Sequence, residues 1–160
     1  MRNFFTDFIL NDPRASSMHA INDMGLLEPV TRLTIQKVIA EAKAQGLELM
    51  VFETYRSKQR QEQLFNEGRT KLKNVGVHHY GLACDLVRNV NGQPSWQGSF
   101  AVLGQLAHKH GLIWGGDWGN PNIHHDFIDA VHVQRCSLRR QNDLFSGAWY
   151  PGNEYNPYTE

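Results

Sequence analysis

The sequence predicts one domain in which helices and strands alternate without internal repeats. Two periodicities carry that expectation. Ile35, Val38, Ile39 and Ala42 fall at i, i+3, i+4 and i+7, the spacing of a helix with one buried stripe. Just after them Leu47, Leu49 and Val51 take alternate positions, the spacing of a half-buried strand. A chain of 160 residues is one domain by length and large enough for its own core.

The elements follow in order. Gly46 is placed to end the first helix, and the strand behind it runs from Leu47 to Tyr55. Ser57 can cap a second helix that carries Leu64 and Phe65 and stops near Gly68. Gly81 to Val87 reads as a short strand, and Asn91-Gly92 followed by Pro94 reads as a turn. Ser99 can cap a third helix with Phe100, Leu103, Leu106 and Ala107, closed by Gly111. Trp114 to Trp118 is expected to be a loop, and Phe127 to Gln134 extended chain. From Gln141 onward Gly147, Pro151, Gly152 and Pro157 lie among aromatics, so the tail is expected to be irregular, either wrapping the domain through Trp149 and Tyr150 or loose.

Charge and composition exclude several classes. Sixteen Lys and Arg balance sixteen Asp and Glu, so no global field favours nucleic acid or an anionic membrane. Cys84 and Cys136 are too few for a disulfide framework. In the opening MRNFFTDFIL, Asp7 interrupts the apolar stretch and Asn11-Asp12-Pro13 ends it, too short for an export signal or a membrane span. The expectation is synthesis in a cytoplasm without an export signal of its own.

The chemistry concentrates in His78-His79-Tyr80-Gly81-Leu82-Ala83-Cys84-Asp85 and in Asp129-Ala130-Val131-His132. Two imidazoles and a carboxylate are a natural zinc set, because catalytic zinc takes three protein ligands and keeps a position for water. Period-two alternation puts Gly81, Ala83 and Asp85 on one strand face, so the carboxylate sits among the smallest residues. His78 lies an odd number of positions before Asp85 and must come from a bend near Tyr80-Gly81. By the same parity Asp129 and His132 need a turn through Ala130 to share a side. His79 competes with His78 on spacing alone, and His124-His125 with Asp126 form a rival cluster. Asp129 could also be a helix cap or a surface carboxylate. His108 and His110 close a helix, where positive charge suits the dipole, and they read as structural, as does His19.

The run from about Leu27 to Gln134 resembles the zinc peptidases that cut peptidoglycan stem peptides, the L-alanyl-D-glutamate endopeptidases and D-alanyl-D-alanine peptidases. The family pattern of Ser, any, His, two residues, Gly, any, Ala, any, Asp is met by His78, Gly81, Ala83 and Asp85. A later signature appears as Trp114-Gly115-Gly116 and then Asp129, His132 and Gln134, and an earlier one as Tyr55-Arg56-Ser57 with Gln61 and Leu64-Phe65. The departures are Gly76 in place of the family serine, a longer loop over Gly119 to Asp126, and Val131 and Val133 in place of a common Pro and Phe.

The resemblance implies an α+β fold of the hedgehog/DD-peptidase type, a small antiparallel sheet with helices packed on it. It favours His78 over His79 and implies that His78, Asp85 and His132 hold Zn2+, that Asp129 is the general base and that Arg56 faces the oxyanion. Trp114, Asp117 and Gln61, with Trp118, are candidate cleft residues. The domain expectation is a single catalytic unit over 1–160, with a family-like core at about 27–134 and an extension over 137–160. The implied activity is hydrolysis of the L-Ala–D-Glu bond by a monomeric phage lysis enzyme (an endolysin), which reaches the wall of a Gram-negative host through membrane pores. Its partner would be the stem peptide, with no nucleic acid and no membrane insertion. A D,D- or L,D-carboxypeptidase on the same polymer is the alternative chemistry. A non-catalytic zinc-containing wall-binding module and a metal nuclease are alternatives of other classes; Asp129 with Arg56 argues against the first, neutral charge against the second.

Overall fold

Helix α1, Pro29–Ala44, has its start fixed twice over. Pro29 supplies a helical φ at the first position, and the Glu28 carboxylate accepts from the backbone N–H of Val30 at 2.9 Å and Thr31 at 3.0 Å. Ile35, Val38 and Ala42 are fully buried, as their spacing requires. The chain leaves the helix at Gly46 with φ +87°, a conformation open to glycine and strained for other residues. These features belong to a computed structural model that describes residues 2–118 and 128–160.

Strand β1 is Leu49–Glu53 and helix α2 is Lys58–Asn66, where Ser57 Oγ accepts from the Arg60 N–H at 3.0 Å as the capping residue. A 3-10 turn over Val77–Tyr80 and the left-handed Gly81 lead into strand β2, Ala83–Val90. That turn is the bend needed before Asp85. Asn91 and Gly92, at φ 54° and 85°, form the expected turn and fold the chain back into β3, Gln93–Ser95, a short edge strand of the kind that tolerates Pro94. Helix α3 is Ala101–Lys109, and Ser99 Oγ accepts from the Ala101 N–H at 3.2 Å.

Two expectations of irregular chain are corrected. The stretch expected as a loop over 114–118 holds the end of strand β4, Ile113–Trp114, and a 3-10 turn over Gly115–Asp117. Helix α4, Gln141–Ser146, interrupts the tail; its six residues bury only Leu144, which leaves too little periodicity to read. Between these lies β5, His132–Gln134, shorter than the extended run expected from Phe127, a residue outside those described.

The sheet has five antiparallel strands in the order β1-β2-β5-β4, with β3 paired to β2. Central β2 therefore sets the register: Asp85 faces His132 on β5 and Glu53 on β1, and Ala83 faces Gln134. One side of the sheet is covered by α1 and α3, where Ile35, Val38, Leu103 and Leu106 pack against Cys84, Leu86 and Val133. The other side carries Asp85, His132 and Gln134. Cys84 and Cys136 are both free and belong to separate buried clusters.

The tail does wrap the domain. Tyr150 donates to the Tyr80 carbonyl at 2.8 Å and Tyr158 to the Leu112 carbonyl at 2.8 Å. The tie-point is buried Arg135, which pairs with Glu28 at 2.7 Å and donates to Thr31 Oγ1 and to the carbonyls of Gly152 and Tyr155. One guanidinium thus joins the α1 start, the end of β5 and the tail. Arg135→Met is expected to cost about 3–5 kcal/mol, because it strands the buried Glu28 carboxylate. Urea unfolding measures the loss, and adding Glu28→Gln to that variant is expected to restore part of it.

Candidate active site

The register brings three ligand-type atoms together: His78, Asp85 and His132 offer donors all within 4.8 Å of one another. His78 Nε2 lies 3.2 Å from Asp85 Oδ1, and His132 Nδ1 lies 3.3 Å from the same oxygen. The outer ring nitrogens decide what these distances mean. His78 Nδ1 is 2.7 Å from the Thr54 carbonyl, which can only accept, so that nitrogen carries the proton. His132 Nε2 is 2.7 Å from Gln134 Oε1, and the Gln134 amide is oriented by donating to the Cys136 carbonyl at 2.7 Å. In each neutral ring the lone pair therefore faces the Asp85 carboxylate.

Three acceptors converging on one point repel unless a cation joins them. The spacing suits one. Ligands about 2.0–2.1 Å from a tetrahedral ion stand roughly 3.3 Å apart along the tetrahedron's edge. A set of two nitrogens and one oxygen suits zinc better than magnesium or calcium, which favour oxygen ligands. The residues fit a bound divalent metal, and the Thr54 carbonyl and Gln134 are the outer partners that hold each imidazole's tautomer.

His78, Asp85 and His132 line a cleft of about 510 Å³ together with Arg56, Asp129, Gln61 and Trp118. Arg56 comes from the turn after β1 and donates to Glu53 at 2.9 Å, to Gln61 Oε1 at 3.2 Å and to Asp85 Oδ2 at 3.5 Å. Its buried Nε–H has no partner among the described residues, which leaves one donor unspent. Glu53, buried at the strand end, anchors Arg56 and also takes Arg60 Nε at 2.5 Å. Burial opposes its charge, but the two guanidiniums outweigh that and hold its carboxyl below the usual range.

Asp129 sits where the turn before β5 begins. The His132 N–H donates to the Asp129 carbonyl at 3.1 Å, so the turn through Ala130 brings both residues to the cleft. Gly115 makes room for it: a Cβ there would stand 2.3 Å from the Asp129 carbonyl oxygen. Burial first, and the Asp85 carboxylate second, push the Asp129 carboxyl above the ordinary aspartate range. For Asp85 burial acts the same way, but positive charge on the two imidazoles overrides it and keeps that carboxyl well below the range; where the rings are neutral, a cation takes that place.

Other sequence candidates are placed elsewhere. Trp114 does not line the cleft; its ring packs on Gly104 and Gly116, and its indole donates to the Ala130 carbonyl at 2.7 Å. Asp117 is half-exposed and pairs with His108 at 2.5 Å, also outside the lining. Gln61 lines the cleft but is buried, tied to Arg56, Thr70 and the Leu72 carbonyl, which makes it a support for Arg56. Of the tryptophan candidates Trp118 does line the cleft, its ring 5.1 Å from that of His132. His79 turns away, its Nδ1 3.2 Å from the Arg56 carbonyl and its ring against Phe5 and Tyr55. His124, His125 and the loop over Gly119 to Asp126 lie outside the described residues. Sequence reasoning missed Glu53, whose only signal is a carboxylate closing the otherwise apolar run Leu49–Phe52.

Fold and cleft together define a metallopeptidase. Residues 70–135 match the family model described as D-alanyl-D-alanine carboxypeptidase. The chain is similar to the peptidoglycan L-alanyl-D-glutamate endopeptidase CwlK of Bacillus subtilis, with 28% identity over 74% of this chain and 80% of that protein. It is similar to the L-alanyl-D-glutamate peptidase of a Listeria phage at 27% identity, over 79% of this chain and 44% of the phage protein. Among solved structures its fold is that of the L-Ala D-Glu endopeptidase ChiX of Serratia marcescens, with TM-score 0.57, 20% identity and coverage of 78% and 93% of the two chains. The D,D-pentapeptidase VanY, solved in complex with Zn(II), shares the fold at TM-score 0.56 and 14% identity, covering 75% of this chain and 78% of its own. The resemblance to the peptidoglycan peptidases is thereby borne out, as is the α+β fold with its small antiparallel sheet.

Gln134→Leu is expected to weaken metal affinity about 10–100-fold, since it frees the His132 ring from its partner. Competition against a calibrated chelator measures the change, and an unaltered affinity would remove Gln134 from the metal centre.

Proposed function

We propose that this chain hydrolyses the L-Ala–D-Glu bond of the peptidoglycan stem peptide with a zinc ion held by His78, Asp85 and His132. The observation that carries the reading is the pair of imidazole lone pairs converging on Asp85 Oδ1, on a lining shared with Asp129 and Arg56. The choice of bond is supported by the names of the Bacillus and phage relatives. Arg69 and Lys71 on the cleft lining suit the free carboxylates that follow L-Ala in the stem.

When bound, zinc supplies Lewis acidity, easing ionisation of water near neutral pH and polarising the scissile carbonyl. The chain's own residues do the rest. Asp129 takes the proton from the attacking water and passes it to the leaving amine of D-Glu. Its raised pKa makes it a better proton acceptor than an exposed aspartate. Arg56, held by Glu53 and Gln61, offers its guanidinium to the charge that develops on the carbonyl oxygen.

The catalytic unit spans 1–160, with its core at about 27–134 and the extension over 137–160 packed on it; the contacts of Arg135, Tyr150 and Tyr158 support this extent. The proposed setting is phage lysis: a monomer made in the host cytoplasm that reaches the wall through membrane pores. No described helix is long and apolar enough to cross a membrane.

Digestion, substitution and pH dependence each have an expected outcome. Digestion of purified Gram-negative peptidoglycan exposes D-Glu amino termini, detected by amine labelling and mass; release of free D-Ala without them would identify a carboxypeptidase instead. Asp129→Ala keeps its metal by elemental analysis while losing roughly 10²–10⁴-fold in rate, and Arg56→Ala keeps its metal with roughly 10²–10³-fold lower turnover. In the parent protein kcat/KM falls as pH drops through the raised Asp129 pKa, because the protonated carboxyl cannot accept a proton. That acid limb is expected above the ordinary aspartate range.

A further inference from the structure

Two aromatic residues of the cleft have no part in this chemistry. Phe52 is the extra residue of a β-bulge: Val51 faces Leu86, and Glu53 already faces Asp85. Unbroken alternation would send one of Phe52 and Glu53 to the far side of the sheet, whereas the bulge lets both line the cleft. Glu53 is taken up by Arg56 and Arg60. Phe52 instead braces Trp96 from the segment after β3, with ring centroids 4.8 Å apart and planes at 75°.

Trp96 lines the same cleft and remains 49% exposed. The contrast with Trp114 is instructive, since that indole is packed over glycines and hydrogen-bonded to a carbonyl. A large ring left open on a concave wall and held in place by a second ring is a stacking platform. The stem peptide of L-Ala, D-Glu, a diamino acid and D-Ala has no aromatic or large apolar side chain to cover it. The flat, C–H-faced surface in this substrate is the pyranose ring to which the stem is attached.

The position of the scissile bond keeps that ring close to the reacting centre, in the cleft that Trp96 also lines. Only L-Ala and the lactyl ether separate the L-Ala–D-Glu bond from the sugar, about 7 Å at the extended spacing of two residues. The geometry points to a saccharide subsite: Trp96, braced by Phe52, stacks on the N-acetylmuramyl ring that bears the stem being cut. The inference rests on the endopeptidase reading, for an enzyme acting at the distal D-Ala would hold the sugar several residues further away. It makes the glycan part of the recognised substrate and distinguishes wall-attached stems from free peptides.

The test compares one stem peptide in two forms, joined to N-acetylmuramic acid through the lactyl group or ending in N-acetyl-L-Ala. The wild-type protein, zinc-loaded, is expected to show at least ten-fold higher kcat/KM on the sugar-bearing form, mainly through KM. Trp96→Ala is expected to bring the ratio of the two forms towards one, while Trp96→Tyr, which keeps a ring, retains most of it. No preference in the wild type, or an unchanged ratio in Trp96→Ala, overturns the subsite. Product masses report the bond cut, so a failure of the endopeptidase reading is seen separately. In that event titration with the peptide-free disaccharide N-acetylglucosaminyl-N-acetylmuramic acid decides: tryptophan quenching that Trp96→Ala abolishes upholds the subsite, and absence of quenching in the wild type overturns it.

Discussion

Asp85 Oδ1 is the point on which the rest of this structure depends. Two imidazole nitrogens approach it from segments far apart in the chain, and each presents a lone pair because its other nitrogen is committed as a donor. That arrangement is repulsive by itself and becomes favourable around a divalent cation. It also gives each imidazole a defined partner on its outer side. Thr54 holds one ring, Gln134 the other, and Gln134 is itself held by the Cys136 carbonyl and Gln141.

Strand β2 serves two environments at once through its alternation. Cys84 and Leu86 enter the apolar layer beneath α1 and α3, while Ala83 and Asp85 face Gln134 and His132 across the pairing with β5. Small Ala83 beside Asp85 leaves space, and the bulge in β1 delivers Phe52 and Glu53 to the same wall. Glu53, together with Asp85 on Arg56, supplies the counter-charges for two arginines that lie partly buried beside the cleft. The result is a cleft with an aromatic part formed by Phe52 and Trp96 and a cationic part formed by Arg56, Arg69 and Lys71.

Arg135 shows how the periphery is tied to this centre. It follows β5 directly after Gln134, so the strand that carries His132 ends in an ion pair with the residue that caps α1. Its remaining donors reach the tail carbonyls of Gly152 and Tyr155. Trp114-Gly115-Gly116 acts as scaffold in the same sense: Trp114 fills the layer over Gly104, and Gly115 admits the Asp129 backbone.

Sequence by itself determined what depends on short-range chemistry. Helical and strand periods placed α1, β1 and β2, capping and stopping residues such as Ser57 placed α2 and α3, and parity required bends at Tyr80-Gly81 and at Ala130, both of which occur. Spacing left His78 and His79 undecided until the family resemblance favoured His78, which the geometry places beside Asp85. Tertiary structure alone decided which aromatics meet the cleft: Trp96 and Trp118 line it, while Trp114 packs inside and Asp117 pairs with His108. It alone revealed β3, α4, the bulge at Phe52 and the buried Glu53–Arg56–Arg60 cluster. The physical reason is range. A period or a cap is an interaction within a few residues, whereas the direction of a side chain at a strand end or in a turn is set by register and by partners dozens of residues away.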